Sequence, residues 1–286
     1  MGRVLLVVAF AGLGLWGLLL EGRDDLDLGR RLVRGMGPEL SGIVIAAVTI
    51  NALADRRQTE QLKAQLIRQM SSRHNEVADT AVCELAHHGW LYDGSLAGVN
   101  LFRAGLKACD LRDAIMPAVN LERADLQGAR LDGANLAKAH LFEADFANAN
   151  LQGANLQQAH LQGARLTGAN LMGANLTGAL VSEANLAGAD LTFADLKNVR
   201  FMASNLSKAN FFETDLSGAD LGLVNLTGAH LTVEQLKQAR ALFGATMPDG
   251  VQLGWDKNVQ GPTFKEWKAH YLATHSGTAA DLRDIT

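Results

Sequence analysis

Residues 134–178 read ANLAK, AHLFE, ADFAN, ANLQG, ANLQQ, AHLQG, ARLTG, ANLMG, ANLTG, nine consecutive five-residue blocks on the pattern A-(N/D)-L-x-G. Followed outward, the register holds from Leu91 to Leu231 with an apolar residue at every fifth position, about 29 blocks in all. Only Met116, Phe146, Val181, Phe201 and Phe211 replace Leu at that centre. A helix repeats every 3.5 or 3.6 residues and a strand every 2, so neither explains a period of five. A chain that turns a corner in every block does. The central Leu and the Ala two before it then point inward, and the other three positions face water. The Ala site must be small, which reads Cys109, Ser204 and Thr214 as small corner residues and Cys109 as no nucleophile. Gly at the block end (Gly128, Gly133, Gly153, Gly163, Gly168) suits a turn with positive φ. Lys138, Asn148 and Gln158 in the same place imply that the requirement is not uniform.

Composition agrees with a stacked-repeat core. Of the 286 residues 48% are hydrophobic but only 6% aromatic, so the interior is built from one repeated small side chain rather than interlocking rings. A net charge of −4 offers no basic footprint for nucleic acid. Cys83 and Cys109 are the only cysteines and form no CxxC, which argues against disulfides and structural zinc and fits a reducing compartment.

The N-terminus is apolar. Val4 to Leu20 is uncharged, and seventeen helical residues would span about 25 Å, the low end for a bilayer core. No small-x-small cleavage site follows, which disfavours a signal peptide. Leu40 to Ala54 is a second, shorter run beginning after Pro38. Hydropathy therefore predicts two transmembrane helices within 1–54, or one span with an interfacial helix. The Lys/Arg distribution favours a cytoplasmic repeat domain on a multi-pass cell-membrane protein.

Residues 55–90 are expected to form a juxtamembrane stalk and a cap. Leu62, Leu66 and Met70 make one apolar stripe on a charged helix, which would either self-associate or lie on the solenoid or membrane. A second helix from near Asn75 to His88, with Val77, Ala81, Val82 and Leu85 on one face and Gly89 as its stop, is placed to cover the first coil. After the repeats (91–233), a C-terminal capping helix and tail occupy 234–286. Thr232 and Gln235 form a T-x-x-Q capping box, Pro248-Asp249-Gly250 a turn, and Phe264, Trp267 and Tyr271 an amphipathic turn or two before a polar end expected to be disordered.

With this pattern in place, the repeats resemble the pentapeptide-repeat family. The resemblance implies a mainly β fold, a right-handed quadrilateral β-helix in which four pentapeptides make each 20-residue coil. About seven coils stacked about 4.8 Å apart would be about 35 Å long. The lead-in LIRQMSSRHN, a helix and then GWLYDGSL is similar to that of membrane-anchored bacterial members, and LTVEQLKQARALFGATMPDG resembles the exit helix and turn of the family.

No nucleophile elbow, phosphate loop, HExxH or dinucleotide fingerprint is present, and the regular Asp residues have a structural cause in the repeat. His140 and His160, 20 residues apart, stack on one side but have no evident third ligand. His87–His88 and Cys83 read as a solvated helix end. The expectation is a chain with no catalytic, cofactor or metal site. It would be a membrane-anchored, non-catalytic scaffold that presents the solenoid to a protein partner and contacts the bilayer through 1–54. Alternatives are an accessory subunit of a membrane enzyme or transport system, and a DNA-mimicking inhibitor of the gyrase type. Against the last, ten Lys and Arg residues offset fourteen acids in the repeats. One candidate contact surface stands out: Met172, Phe193 and Phe212 are apolar at outward positions, and their block centres differ by 20, which stacks them as a patch rimmed by Gln152, Thr192 and Glu213.

Overall fold

The computed structural model describes residues 4–6, 18–20, 38–254 and 261–274, with side chains from residue 49 onward. The chain divides into two units, 1–65 and 66–286.

In the first unit, β1 (Val4–Leu6) pairs antiparallel with β2 (Leu18–Leu20), Val4 opposite Leu20 and Leu6 opposite Leu18. This corrects the expectation of a transmembrane helix over Val4–Leu20. Hydropathy cannot tell a strand from a helix when every residue is apolar. Gly12, Gly14 and Gly17 each weaken a helix by about 1 kcal/mol relative to Ala. The second expected span is also corrected. Leu40–Ala54 is only the first half of α1 (Pro38–Met70), one 33-residue helix that runs on through Arg56, Arg57, Lys63 and Arg68. No Gly, Pro or cap separates Ala54 from Asp55, so nothing stops it. Among the described residues no helix is long and apolar enough to cross a membrane.

The second unit opens with the last turn of α1, where Leu66 and Met70 are buried and Ile67 packs on the core. Leu62, earlier in the stripe and in the first unit, is exposed. The loop after α1 behaves as a coil preceding the first. Gly105 N–H donates to Ser72 O at 2.7 Å, and a Cβ on Gly105 would lie 2.5 Å from Arg73 O, which is why glycine stands where other blocks carry Asn or Asp. Next, α2 (Asn75–His87) buries Ala78, Ala81, Val82 and Leu85 against the repeats. The face is set by i, i+3, i+4, i+7 spacing from Ala78, so Val77 points out instead of in. Gly89, at φ +74, turns the chain into Trp90 and Leu91.

From Asn100 to His230 every parallel bridge joins residue i to residue i + 20, so four pentapeptides close one coil. The block centres from Leu91 to Leu226 are fully buried, with Ala, or Cys109, Val119, Val199, Val224, Ser204 and Thr214, closing the corners. Ser204 and Thr214 keep buried hydroxyls by donating to Val181 O (2.6 Å) and Leu191 O (2.8 Å).

The backbone donors of one block can be followed completely. Leu156 N–H reaches Asn175 O in the next coil at 2.7 Å, and Gln158 N–H reaches Thr177 O at 3.0 Å. Asn155 N–H reaches back to Ala134 O at 2.9 Å, and Ala159 N–H closes the turn on Leu156 O at 3.0 Å. Gln157 N–H alone has no carbonyl to meet; it donates to Asn155 Oδ1 at 3.1 Å. The Asn/Asp preference before each centre is therefore a side-chain cap on the one amide that the coil geometry strands. The same cap recurs in eighteen blocks.

The turn requirement is uniform after all. Lys138, Asn148 and Gln158 sit at φ +59, +57 and +57, like the glycines at their position. Among the described residues sixteen non-glycine residues accept positive φ. The coil geometry imposes the conformation whatever the side chain, at a cost of about 1–2 kcal/mol where Cβ is present.

At the C-terminal end α3 (Val233–Gln238) replaces one side of the last coil. Its capping box forms: Gln235 N–H donates to Thr232 Oγ1 at 3.1 Å, and Thr232 N–H donates to Gln235 Oε1 at 2.8 Å. Gln235 Nε2 also donates to Phe211 O at 2.6 Å, which ties the helix to the coil below. The β-helix does not stop at 233. Asp220 bridges Ala241 and Asn225 bridges Thr246, a spacing of 21, because the helix takes up one extra residue. After the turn at Gly250, α4 (Phe264–Thr274) buries Trp267, whose Nε1 donates to Asp249 Oδ2 at 2.9 Å. The polar end expected after α4 lies outside the described residues.

Candidate functional site

A four-sided coil sorts the surface into four walls. On the wall whose centres run Leu151, Leu171, Leu191 and Phe211, the expected patch forms. Phe193 is 58% and Phe212 51% exposed, with ring centroids 5.8 Å apart at 78°. Met172 is only half-buried beside them, and Thr192 is buried rather than part of a rim. The reason is hydrogen bonding: Thr192 Oγ1 donates to Asp190 Oδ1 at 2.5 Å and accepts from Asn210 Nδ2 at 2.9 Å. The rings thus stand on a rigid polar floor. Phe193 holds φ +59, the conformation that the coil imposes at every block end. Trp267 does not cover this patch; it is buried at the C-terminal end, stacked on Tyr271 at 4.8 Å.

The opposite wall, with centres Leu101, Leu121, Leu141, Leu161, Val181, Phe201 and Leu221, was not legible as a patch when the chain was read block by block. It exposes Phe102, Phe142, Met202 and Leu223, and Phe243 joins them from the last coil. Along its pre-centre column stand Asn100, Asn120, His140, His160, Leu180, Arg200 and Asp220, each bridged to the next. His140 and His160 meet edge-on, centroids 5.2 Å apart. Sorting the sequence by a period of 20 instead of five would have found the interruption of Asn and Asp here.

Charge on the walls is mixed and partly paired. Arg123 meets Glu143 at 2.7 Å, Arg165 meets Asp145 at 3.2 Å, and Lys197 lies between Asp195 (3.3 Å) and Asp215 (3.2 Å). Arg112 holds the Asp110 carboxyl below its ordinary range, and Asp215 is held low chiefly by Ser217, then by Lys197. Burial, then the hydrogen bond that the thiol donates to the Asp79 carboxylate, pushes Cys109 up to about 12, consistent with an inert corner residue. Among the described residues no group of three or more His, Cys, Asp or Glu could hold a metal. His88 stacks on Trp90 at 4.4 Å.

The pentapeptide-repeat family model matches residues 104–141, 139–178, 169–207 and 204–232. HetL, a pentapeptide repeat protein involved in heterocyst differentiation regulation from the cyanobacterium Nostoc, is 32% identical over 54% of this chain and 86% of its own, with a TM-score of 0.24. Rfr23 from the cyanobacterium Cyanothece is 25% identical over 46% of this chain and 89% of its own, with a TM-score of 0.27. QnrB1, a plasmid-mediated fluoroquinolone resistance protein, is 19% identical over 64% and 95%, with a TM-score of 0.44. No curated protein matches. The family match begins at residue 104 and does not reach the lead-in that resembled membrane-anchored members. With the 20-residue coil, the matched repeats and the identity to HetL, the chain belongs to the pentapeptide-repeat family and folds as its right-handed quadrilateral β-helix.

Proposed function

We propose that the protein is a non-catalytic scaffold whose solenoid presents its walls to a protein partner. The observation that carries this reading is the pair Phe193 and Phe212, two exposed rings in contact on a hydrogen-bonded floor. Exposed apolar residues scattered singly need no explanation, but a stacked pair with Met172 beside it supplies the aromatic centre typical of binding surfaces. The test is a Phe193→Ser, Phe212→Ser double variant, with partners captured from solubilised cells by cross-linking. Loss of the captured partner with a melt unchanged within about 1 kcal/mol supports the reading. Equal capture by variant and wild type sinks it.

Two further readings are weaker. A DNA-mimicking inhibitor needs uncompensated negative charge, whereas the acids of these walls are interleaved with Arg and Lys partners. Attachment at the cell membrane, with a partner in a membrane enzyme or transport system, rests on the uncharged run Val4–Leu20 alone. Fractionation of the full chain with and without residues 1–54 tests it: recovery of the full chain in the soluble fraction would remove the membrane from the proposal.

A further inference from the structure

On one wall, four consecutive coils give up the cap that the rest of the solenoid uses. Where Asn or Asp stands before the centre, its side-chain oxygen accepts the stranded N–H of the first residue after the centre, as Asn120 does for Glu122 at 2.9 Å and Asp220 for Gly222 at 3.1 Å. Between these two, on the same wall, stand His140, His160, Leu180 and Arg200. The amides of Phe142, Gln162, Ser182 and Met202 consequently find no acceptor among the described residues. Interruptions on the other walls are isolated: Ile115, Arg130 and Arg165 each stand alone in their columns, Gly105 is explained by the passing Ser72–Arg73 loop, and His230 ends its column.

A run of four local-rule violations on one face is the pattern expected of a functional surface rather than of drift. Its chemistry follows from the molecule itself. In the capped blocks these amides bind a carboxylate or carboxamide oxygen, and here three of the four side chains that replace it, His140, His160 and Arg200, carry N–H donors. His140, His160 and Arg200 are exposed, and Lys138 precedes His140 by two residues. Exposed Phe142 and Met202 and half-buried Leu180 interleave with them.

We propose that this wall binds an extended acidic segment of a protein partner, whose Asp or Glu carboxylates take the place of the missing caps. They would accept from the amides of Phe142, Gln162, Ser182 and Met202 and pair with His140, His160 and Arg200, while apolar residues between them rest on Phe142 and Met202. Charge-assisted bonds from backbone amides to a carboxylate are among the stronger contacts available to such a surface. A polyphosphate fits less well, because its evenly charged backbone cannot be spaced away from Glu122, Glu183 and Asp220 on the same wall, whereas carboxylates separated by neutral residues can. This surface is on the opposite side from Phe193 and Phe212, so its test is independent of theirs.

The test uses the full chain and a short fluorescein-labelled peptide alternating Asp with Ser and Leu, read by anisotropy, with an oligothymidylate of equal length as the second probe. The variant is His140→Asn, His160→Asn, Arg200→Asn, which restores the cap the other coils use and so retains the fold. The expected result is peptide binding that weakens with salt and falls at least about tenfold in the variant, whose melt is unchanged or raised. No peptide binding by the wild type, equal binding by the variant, or a lowered melt would overturn the proposal. Tighter capture of the oligothymidylate than of the peptide would overturn the choice of an acidic polypeptide.

Discussion

Replacing Gly105 by Ala should detach the N-terminal cap while leaving the middle of the solenoid intact. The added Cβ would lie 2.5 Å from Arg73 O, 3.0 Å from Arg73 C and 3.3 Å from Asn75 N. All three are backbone atoms, so no side chain can swing away. Restoring ordinary contact requires the loop to retreat by about 1 Å, which stretches the 2.7 Å bond from Gly105 N–H to Ser72 O past its useful range. Overpacking of this kind costs about 1–3 kcal/mol and the lost bond about 1 kcal/mol, so about 2–4 kcal/mol is expected. Gly173→Ala is the control. Its φ is +66 but a Cβ there meets nothing within 4 Å, so only the left-handed conformation costs, about 1 kcal/mol after the gain from a stiffer unfolded chain. A stacked-repeat protein need not unfold in two states, so native-state hydrogen exchange is the informative assay. Gly105→Ala should remove protection from α2 and the blocks around Leu101 and Leu106 first, with the coils beyond Leu141 still protected. Uniform loss of protection, or a cost no larger than that of Gly173→Ala, would refute the argument.

Two other outcomes follow from the same geometry. Leu156→Asp, at a fully buried centre, should cost several kcal/mol and open the middle coils, whereas Gln157→Asp, exposed in the next position, should change the unfolding free energy in urea by less than about 0.5 kcal/mol; equal changes would show the register to be wrong. Asp215, held below its ordinary range, contributes stability above the unfolded carboxylate value near 4 that is lost as pH falls through its folded value; Asp215→Asn, which can still cap Ser217, should flatten that acid limb of the melting curve, and an unchanged limb would refute the assignment.

A five-residue period with one buried centre requires a chain that turns at every block, so the Leu ladder and its small corners were readable from residues alone, while the four-sided coil of 20 residues came from the family resemblance. The α3 capping box and the Gly89 stop were local too, since both depend on residues within one turn of each other. The N-terminus was misread because hydropathy measures what is buried, not the backbone that buries it: Val4–Leu6 and Leu18–Leu20 satisfy their amides by pairing with each other. The uniform positive φ of Lys138, Asn148 and Gln158 was hidden for a related reason. Side-chain preference registers local strain, but bonds between coils decide the turn.

The Phe193–Phe212 patch could be anticipated because a spacing of 20 follows from the coil, yet the burial of Thr192 could not, since it depends on Asn210 reaching across coils. The interrupted cap column needed the structure more fully still. His140, His160, Leu180 and Arg200 are unremarkable until it is known what Asn and Asp do in their place. Periodicity along the chain was set by covalent spacing and burial, both present in the sequence. The meaning of an exception was set by hydrogen bonds within the turn that the folded coil imposes, and only the tertiary structure holds that turn in place.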